Sequence, residues 1–135
     1  MVLMVVLTVL VTAASCLYFI ASPKPVERYT EFYILGGNGI ADSYPRELAV
    51  GKEEKLIAGI VNHEQRNVTY YMNIKMQDIV KSTKGPIILR QGEKREEIVK
   101  ISANYPHEKL KVEFLLFRDQ ESKPCRTLYL WVTVK

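Results

Sequence analysis

The chain has 135 residues, with 19 basic against 15 acidic side chains, a formal charge of +4 and 47% hydrophobic residues. Setting aside an apolar amino end leaves roughly 110 residues, enough for one domain that buries about two-thirds of its unfolded surface. Charges of both signs are interspersed, which argues against the dense basic footprint of a nucleic-acid binder. The two cysteines, Cys16 and Cys125, provide no disulfide framework once Cys16 is placed in the apolar segment.

No charged side chain occurs from Met1 to Ala21. At about 1.5 Å per residue the run through Ser22 makes roughly 32 Å of helix, matching a hydrocarbon core of about 30 Å. Residues 1–22 are therefore expected to form a transmembrane helix acting as a signal anchor, with the lipid bilayer as its partner. A cleaved signal peptide is the competing reading, because Ala13-Ala14-Ser15-Cys16 loosely resembles a small-residue or lipoprotein processing site. The lack of Lys or Arg before the run opposes cleavage, as does its apolar continuation from Leu17 to Ala21. Tyr18 and Phe19 fit an interfacial aromatic belt. Pro23 and Pro25 stop the helix, and residues 23–28 read as a short stiff linker.

From Tyr29 the pattern changes to period two, the mark of strands. It is clearest where Val68, Tyr70, Met72, Ile74 and Met76 alternate with Thr69, Tyr71, Asn73 and Lys75, which predicts one buried and one solvated face. Further strands are predicted at Tyr29–Leu35, Lys55–Asn62, Pro86–Gln91, Arg95–Ser102, Lys109–Phe117 and Arg126–Val134. Turn residues separate them at Gly36–Gly39, Asp42-Ser43, Val50-Gly51, Lys84-Gly85-Pro86, Gln91-Gly92 and Asn104–Pro106. Residues 29–135 are thus expected to form an all-β, immunoglobulin-like antiparallel β-sandwich of about seven strands. It would stand on packing alone, with Trp131 contributing to the core or its edge. Glu93 to Glu97 mixes charge signs and reads as a solvated strand edge.

Chemically suggestive residues are few. His63-Glu64-Gln65-Arg66 is expected to be an exposed hairpin loop, flanked by Asn62 and Asn67, whose amides suit turns. A zinc helix would need a second histidine at position 67, which is Asn. His107-Glu108 repeats the dipeptide in another predicted loop. No Gly-x-Ser-x-Gly elbow or phosphate loop is present, and Gly36–Gly39 lacks the residues that would make it one. No catalytic residue, cofactor or metal ligand is expected. The tyrosines and Phe32 are assigned to core and interface packing, although an exposed tyrosine cluster could stack on a sugar or a partner.

The segment from Tyr29 to Ile74 resembles an archaeal membrane-protein family described as domain of unknown function 1616. The resemblance rests on Tyr-Thr-Glu-Phe-Tyr-Ile-Leu-Gly from Tyr29, then Tyr44-Pro45, Val50-Gly51, Val61-Asn62-His63-Glu64 and Asn67-Val68-Thr69. It implies an anchor followed by a sandwich domain at the cell envelope, with no established activity. Members of that family often carry several membrane helices, whereas one is expected here. Lys24 and Arg28 would hold the domain in the cytoplasm by the positive-inside rule. The amino-terminal position of the apolar run, the exported character of the resembling family and the acceptor sequon at Asn67, a site for N-glycosylation, favour the opposite side. The functional expectation is a single-pass, extracytoplasmic, noncatalytic binding or scaffolding module of the cell membrane, with a protein partner and no nucleic acid. An accessory subunit of a glycan- or protein-processing envelope enzyme is the alternative.

Overall fold

The computed structural model describes residues 2–21, 27–41 and 45–135, with the side chains of residues 15–21 outside that description. The charge-free amino end is a 20-residue helix, α1 (Val2–Ala21). The expected transmembrane span of residues 1–22 lies partly outside the described residues, since the side chains of α1 are described only over residues 2–14, and among the described residues no helix is long and apolar enough to cross a membrane. The proposed processing site at Cys16, the aromatic positions Tyr18 and Phe19, most of the linker, Asp42-Ser43 and Tyr44 all fall in whole or part outside the described residues.

The period-two segments become strands β1 (Tyr29–Gly36), β3 (Glu54–His63), β4 (Val68–Met76), β5 (Ile79–Leu89), β6 (Lys94–Ile101), β7 (His107–Arg118) and β8 (Arg126–Val134), with a two-residue β2 (Glu47–Leu48). They form two sheets, ordered β1-β3-β6 and β2-β8-β7-β4-β5. Among the long strands, the first, second and fifth share one sheet, and the seventh, sixth, third and fourth share the other. This is the A-B-E and G-F-C-C′ arrangement of an immunoglobulin sandwich.

Alternation decides what faces inward. In β4, Val68, Tyr70, Met72, Ile74 and Met76 are buried, as their spacing predicts. They meet Phe114 and Leu116 of β7 and, from the facing sheet, Leu56, Ala58 and Ile60 of β3 in one hydrophobic core. At about 25 cal/mol per Å² of apolar surface removed from water, this core is the main term holding the sheets together.

Two local expectations need correction. Lys84-Gly85-Pro86 is not a turn between strands but part of β5, where the register against β4 shifts between Tyr70 and Met72. Gly85 has φ +129°, and a Cβ there would stand 2.8 Å from the Tyr70 carbonyl oxygen, so the bulge needs glycine. The β4–β5 reversal is instead made by Gln77 and Asp78, both at positive φ (51° and 64°), the geometry of a type I′ hairpin built without the usual Asn-Gly. Strand β2 was also absent from the expected set. It pairs in parallel with the end of β8 and buries Leu48. Gly36–Gly39 is a tight turn as expected, with the Gly39 amide donating to the Gly36 carbonyl at 2.8 Å.

Candidate functional site

Two groups of polar and aromatic side chains lie at different places on this frame. The first lies where β1 begins and β3 and β7 end. Asn62 closes β3 on the inner face, and the four-residue connection Glu64–Asn67 follows before β4. The expectation of an exposed loop fails at Glu64, which is only 5% accessible. Its carboxylate accepts hydrogen bonds from the Thr30 hydroxyl and from Arg118 Nη1, both at 2.7 Å. Thr30 spends its single proton on Glu64, so the Tyr70 hydroxyl, 2.8 Å away, must donate to Thr30. A chain of donors thus runs from Tyr70 in one sheet through Thr30 in the other to Glu64, and Arg118 completes it as an ion pair.

Asn62 supports this chain from below. Its amide donates to the Arg66 and Leu89 carbonyls (2.8 and 3.0 Å), and its side-chain oxygen accepts from the Glu64 amide at 2.9 Å. Arg126 Nε donates to the Thr30 carbonyl at 2.9 Å. No buried side-chain nitrogen or oxygen among the described residues lacks a partner.

Burial alone would raise the Glu64 pKa, but the Thr30 hydroxyl and the Arg118 guanidinium outweigh it and hold the carboxyl below its ordinary range. The Tyr70 phenol and the half-buried Cys125 thiol are pushed up, burial being the largest cause for each. The cluster is therefore an ionised carboxylate whose Oε2 accepts two hydrogen bonds, beside a phenol and a thiol that keep their protons. That arrangement ties the two sheets together.

The histidines flank the sandwich without meeting. His63 ends β3, stacks on Tyr29 with ring centroids 4.6 Å apart, and approaches Glu31 at 3.4 Å. His107 starts β7 at the other end of the strands and contacts the Gln77 side chain at 3.0 Å. A metal shared by the two would have to span most of a strand, roughly 30 Å. Among the described residues no group of three or more His, Cys, Asp or Glu side chains could hold an ion. Asn67 is exposed in the β3–β4 connection.

The second group was not anticipated. Trp131 does not pack in the core: it projects from the outer face of β8 and is 55% accessible, beside Tyr129 at 57%. Their rings meet edge to face at 6.3 Å and 80°. Lys111, register partner of Trp131 on β7, places its ammonium 5.0 Å from the Tyr129 ring centre and 5.8 Å from that of Trp131. Beside them a groove of about 710 Å³ runs between the segment entering β2 and the start of β7, lined by Pro45, Arg46, Glu108, Lys109 and the residues from Tyr129 to Thr133. Its walls are fixed by backbone: the Thr133 amide donates to the Arg46 carbonyl at 2.9 Å, and the Thr133 hydroxyl to the Glu108 carbonyl at 3.0 Å. The signal available in the sequence was parity. Tyr129 and Trp131 alternate with Leu128, Leu130 and Val132, so if the aliphatic side chains face the core the aromatic ones cannot.

The remaining aromatic residues divide. Tyr70 and Phe32 are buried, and Tyr33 lies flat over Gly59, where a Cβ would overlap its ring, with its hydroxyl donating to Glu96 at 2.8 Å. Tyr29, Tyr71 and Tyr105 are exposed.

A family model described as domain of unknown function (DUF1616) matches residues 23–133. The chain belongs to this family. No curated protein matches it. Among solved structures, the DUF1616 domain is similar to the CARDB domain of PF1109 from Pyrococcus furiosus. A crystal structure of that domain in complex with di-metal ions has TM-score 0.63 and 12% identity, covering 84% of this chain and 95% of that one. A solution structure of it gives TM-score 0.59 and 11% identity, covering 80% and 97%. A beta-glucosidase from Listeria innocua is similar over 80% of this chain but only 16% of its own length, with TM-score 0.51 and 16% identity. At these identities the likeness speaks for the fold of the DUF1616 domain, a two-sheet sandwich, and for nothing more.

Proposed function

We propose that the chain is a noncatalytic binding module of the cell envelope, held to the membrane by α1, with its sandwich outside the cytoplasm and its partner bound at the outer face of β7 and β8. The observation that carries this reading is the contrast in saturation between the two side-chain groups. The buried polar groups around Glu64 each have an internal partner, whereas Tyr129, Trp131 and the adjoining groove present aromatic and charged surface to solvent. Large exposed aromatic side chains grouped on a rigid sheet are the usual ingredients of a recognition surface. The charge-free, apolar sequence from Met1 to Ala21 supports the anchor, and the exposed Asn67 sequon supports the external side.

The test is retention of the full chain on immobilised envelope material, the chain being solubilised in detergent so that α1 inserts into no bilayer. The wild-type chain is expected to be retained and a Tyr129→Ala/Trp131→Ala variant to lose at least about tenfold in retention, a typical consequence of removing aromatic anchors. Equal retention of the two would refute a binding role for this face. An enzyme recovered in stoichiometric amount with the wild-type chain would move the reading to an accessory subunit. Orientation is tested on intact cells carrying an epitope after Lys135: loss of the epitope to external protease is expected, and its survival until lysis would place the domain in the cytoplasm.

A further inference from the structure

We infer that the groove along β8 takes an acidic saccharide, a chain of sugar units bearing carboxylates. The inference rests on the binding-face reading above and names the class of its ligand. Three cations border the aromatic pair: Arg46 and Lys109 line the groove, and Lys111 lies over both rings. None of the three forms an ion pair among the described residues. Glu108 is the one carboxylate in the lining. In the next row Glu113 of β7, the register partner of Tyr129, is itself opposite Lys75 on β4, so that row adds one charge of each sign. The groove therefore carries an uncompensated positive charge beside aromatic surface, whereas the chain as a whole is only mildly basic.

The ring geometry narrows the anion. Tyr129 and Trp131 stand at 80° to each other, so they cannot offer the parallel platforms on which successive nucleobases stack. A pyranose needs only one ring face for its apolar C–H surface. Its hydroxyls and a carboxylate at the ring edge would then reach the Arg46 guanidinium and the Lys109 and Lys111 ammonium groups, with Arg46 able to take a carboxylate in two parallel bonds. Lys111 also holds the two rings in place by its cation–π contacts, which lowers the ordering cost on binding.

Trp131 is the single tryptophan of the chain, so its emission reports on this groove. The full chain in a detergent without a sugar headgroup is titrated with a short oligogalacturonate, with a neutral glucose oligomer of the same length, and with a single-stranded oligodeoxynucleotide of equal charge. A saturable change in Trp131 emission is expected with the oligogalacturonate, weakened roughly tenfold by Lys111→Ala and by Arg46→Ala, as for the loss of one charge-assisted contact. The neutral oligomer and the oligonucleotide are expected to bind at least about tenfold more weakly. No saturable response to the oligogalacturonate, or a response that either control matches, overturns the inference. If that happens while retention on envelopes still depends on Tyr129 and Trp131, the binding-face reading stands and the choice of ligand alone is wrong.

Discussion

The inner cluster around Glu64 and the outer face around Trp131 are built from similar materials, tyrosine, arginine or lysine, and carboxylate, yet they do opposite work. Around Glu64 each group was buried as the sheets closed, so each had to find a partner or cost the desolvation of an unpaired polar atom. Around Trp131 the side chains stand on the water side of the sheet and face no such requirement. The same residue types are structural where burial makes hydrogen bonds obligatory and available for recognition where it does not. Substitutions should therefore separate into one group that unfolds the domain and another that leaves it folded and unable to bind.

The largest effect is expected at Asn62, which is fully buried and makes three side-chain hydrogen bonds. Asn62→Leu should cost about 3 kcal/mol, because it strands two carbonyls and an amide, and lower the melting temperature by roughly 10–20 °C. Urea unfolding followed by far-ultraviolet circular dichroism measures it; a loss under about 1 kcal/mol would mean the polar cluster is dispensable.

Glu64→Gln comes next, at about 2 kcal/mol near neutral pH, since Arg118 keeps a polar neighbour and its second partner Glu121 but loses its closer countercharge in a setting that is partly open to water. The variant also sharpens the comparison through pH. The folded-state pKa of Glu64 lies below its unfolded value, so its contribution is fully present above about pH 4.3 and is lost as the pH falls through the lower, folded value. Wild-type stability should decline over that acid window more steeply than that of the Gln variant, and parallel curves would remove Glu64 as the cause.

Smaller still are the histidines. His63→Ala gives up one stacked, half-buried ring and His107→Ala one exposed contact, so each should cost less than about 1 kcal/mol. A larger loss that added zinc restores would reveal a metal site at one of them. Least of all is the stability change for Trp131→Ala, within about 0.5 kcal/mol by thermal melting, as for other exposed positions. Its binding phenotype should be large, and a folding defect instead would return Trp131 to the core.

What could be read from the sequence was set by periodicity. β4 and β8 follow strict alternation, so their extents were predicted closely and the inward face of β4 with them, whereas β5 carries bulges and an internal Gly-Pro that imitate a turn, and its first half was missed. β2 is too short to have a period. Glu64 looked like loop polarity because nothing local distinguishes a solvated carboxylate from a buried one. Its partners Thr30 and Arg118 lie 34 and 54 residues away and meet it only through the order of the strands. The Trp131 face was legible in principle, since alternation along β8 assigns Tyr129 and Trp131 to the side opposite Leu128, Leu130 and Val132, whereas aromatic bulk alone points to the core or its edge.

The hydrogen-bond chain from Tyr70 through Thr30 to Glu64 crosses from one sheet to the other, so it cannot exist in either sheet alone. It can form only after the hydrophobic faces have docked and the β3–β4 connection has closed over the end of the core. Interactions made after the rate-limiting step leave the folding rate untouched and act on the rate of escape from the native state. Substitution of Thr30 or Glu64 is accordingly expected to speed unfolding and leave the folding rate unchanged, which chevron plots measure; an equal effect on folding would place the cluster in the transition state.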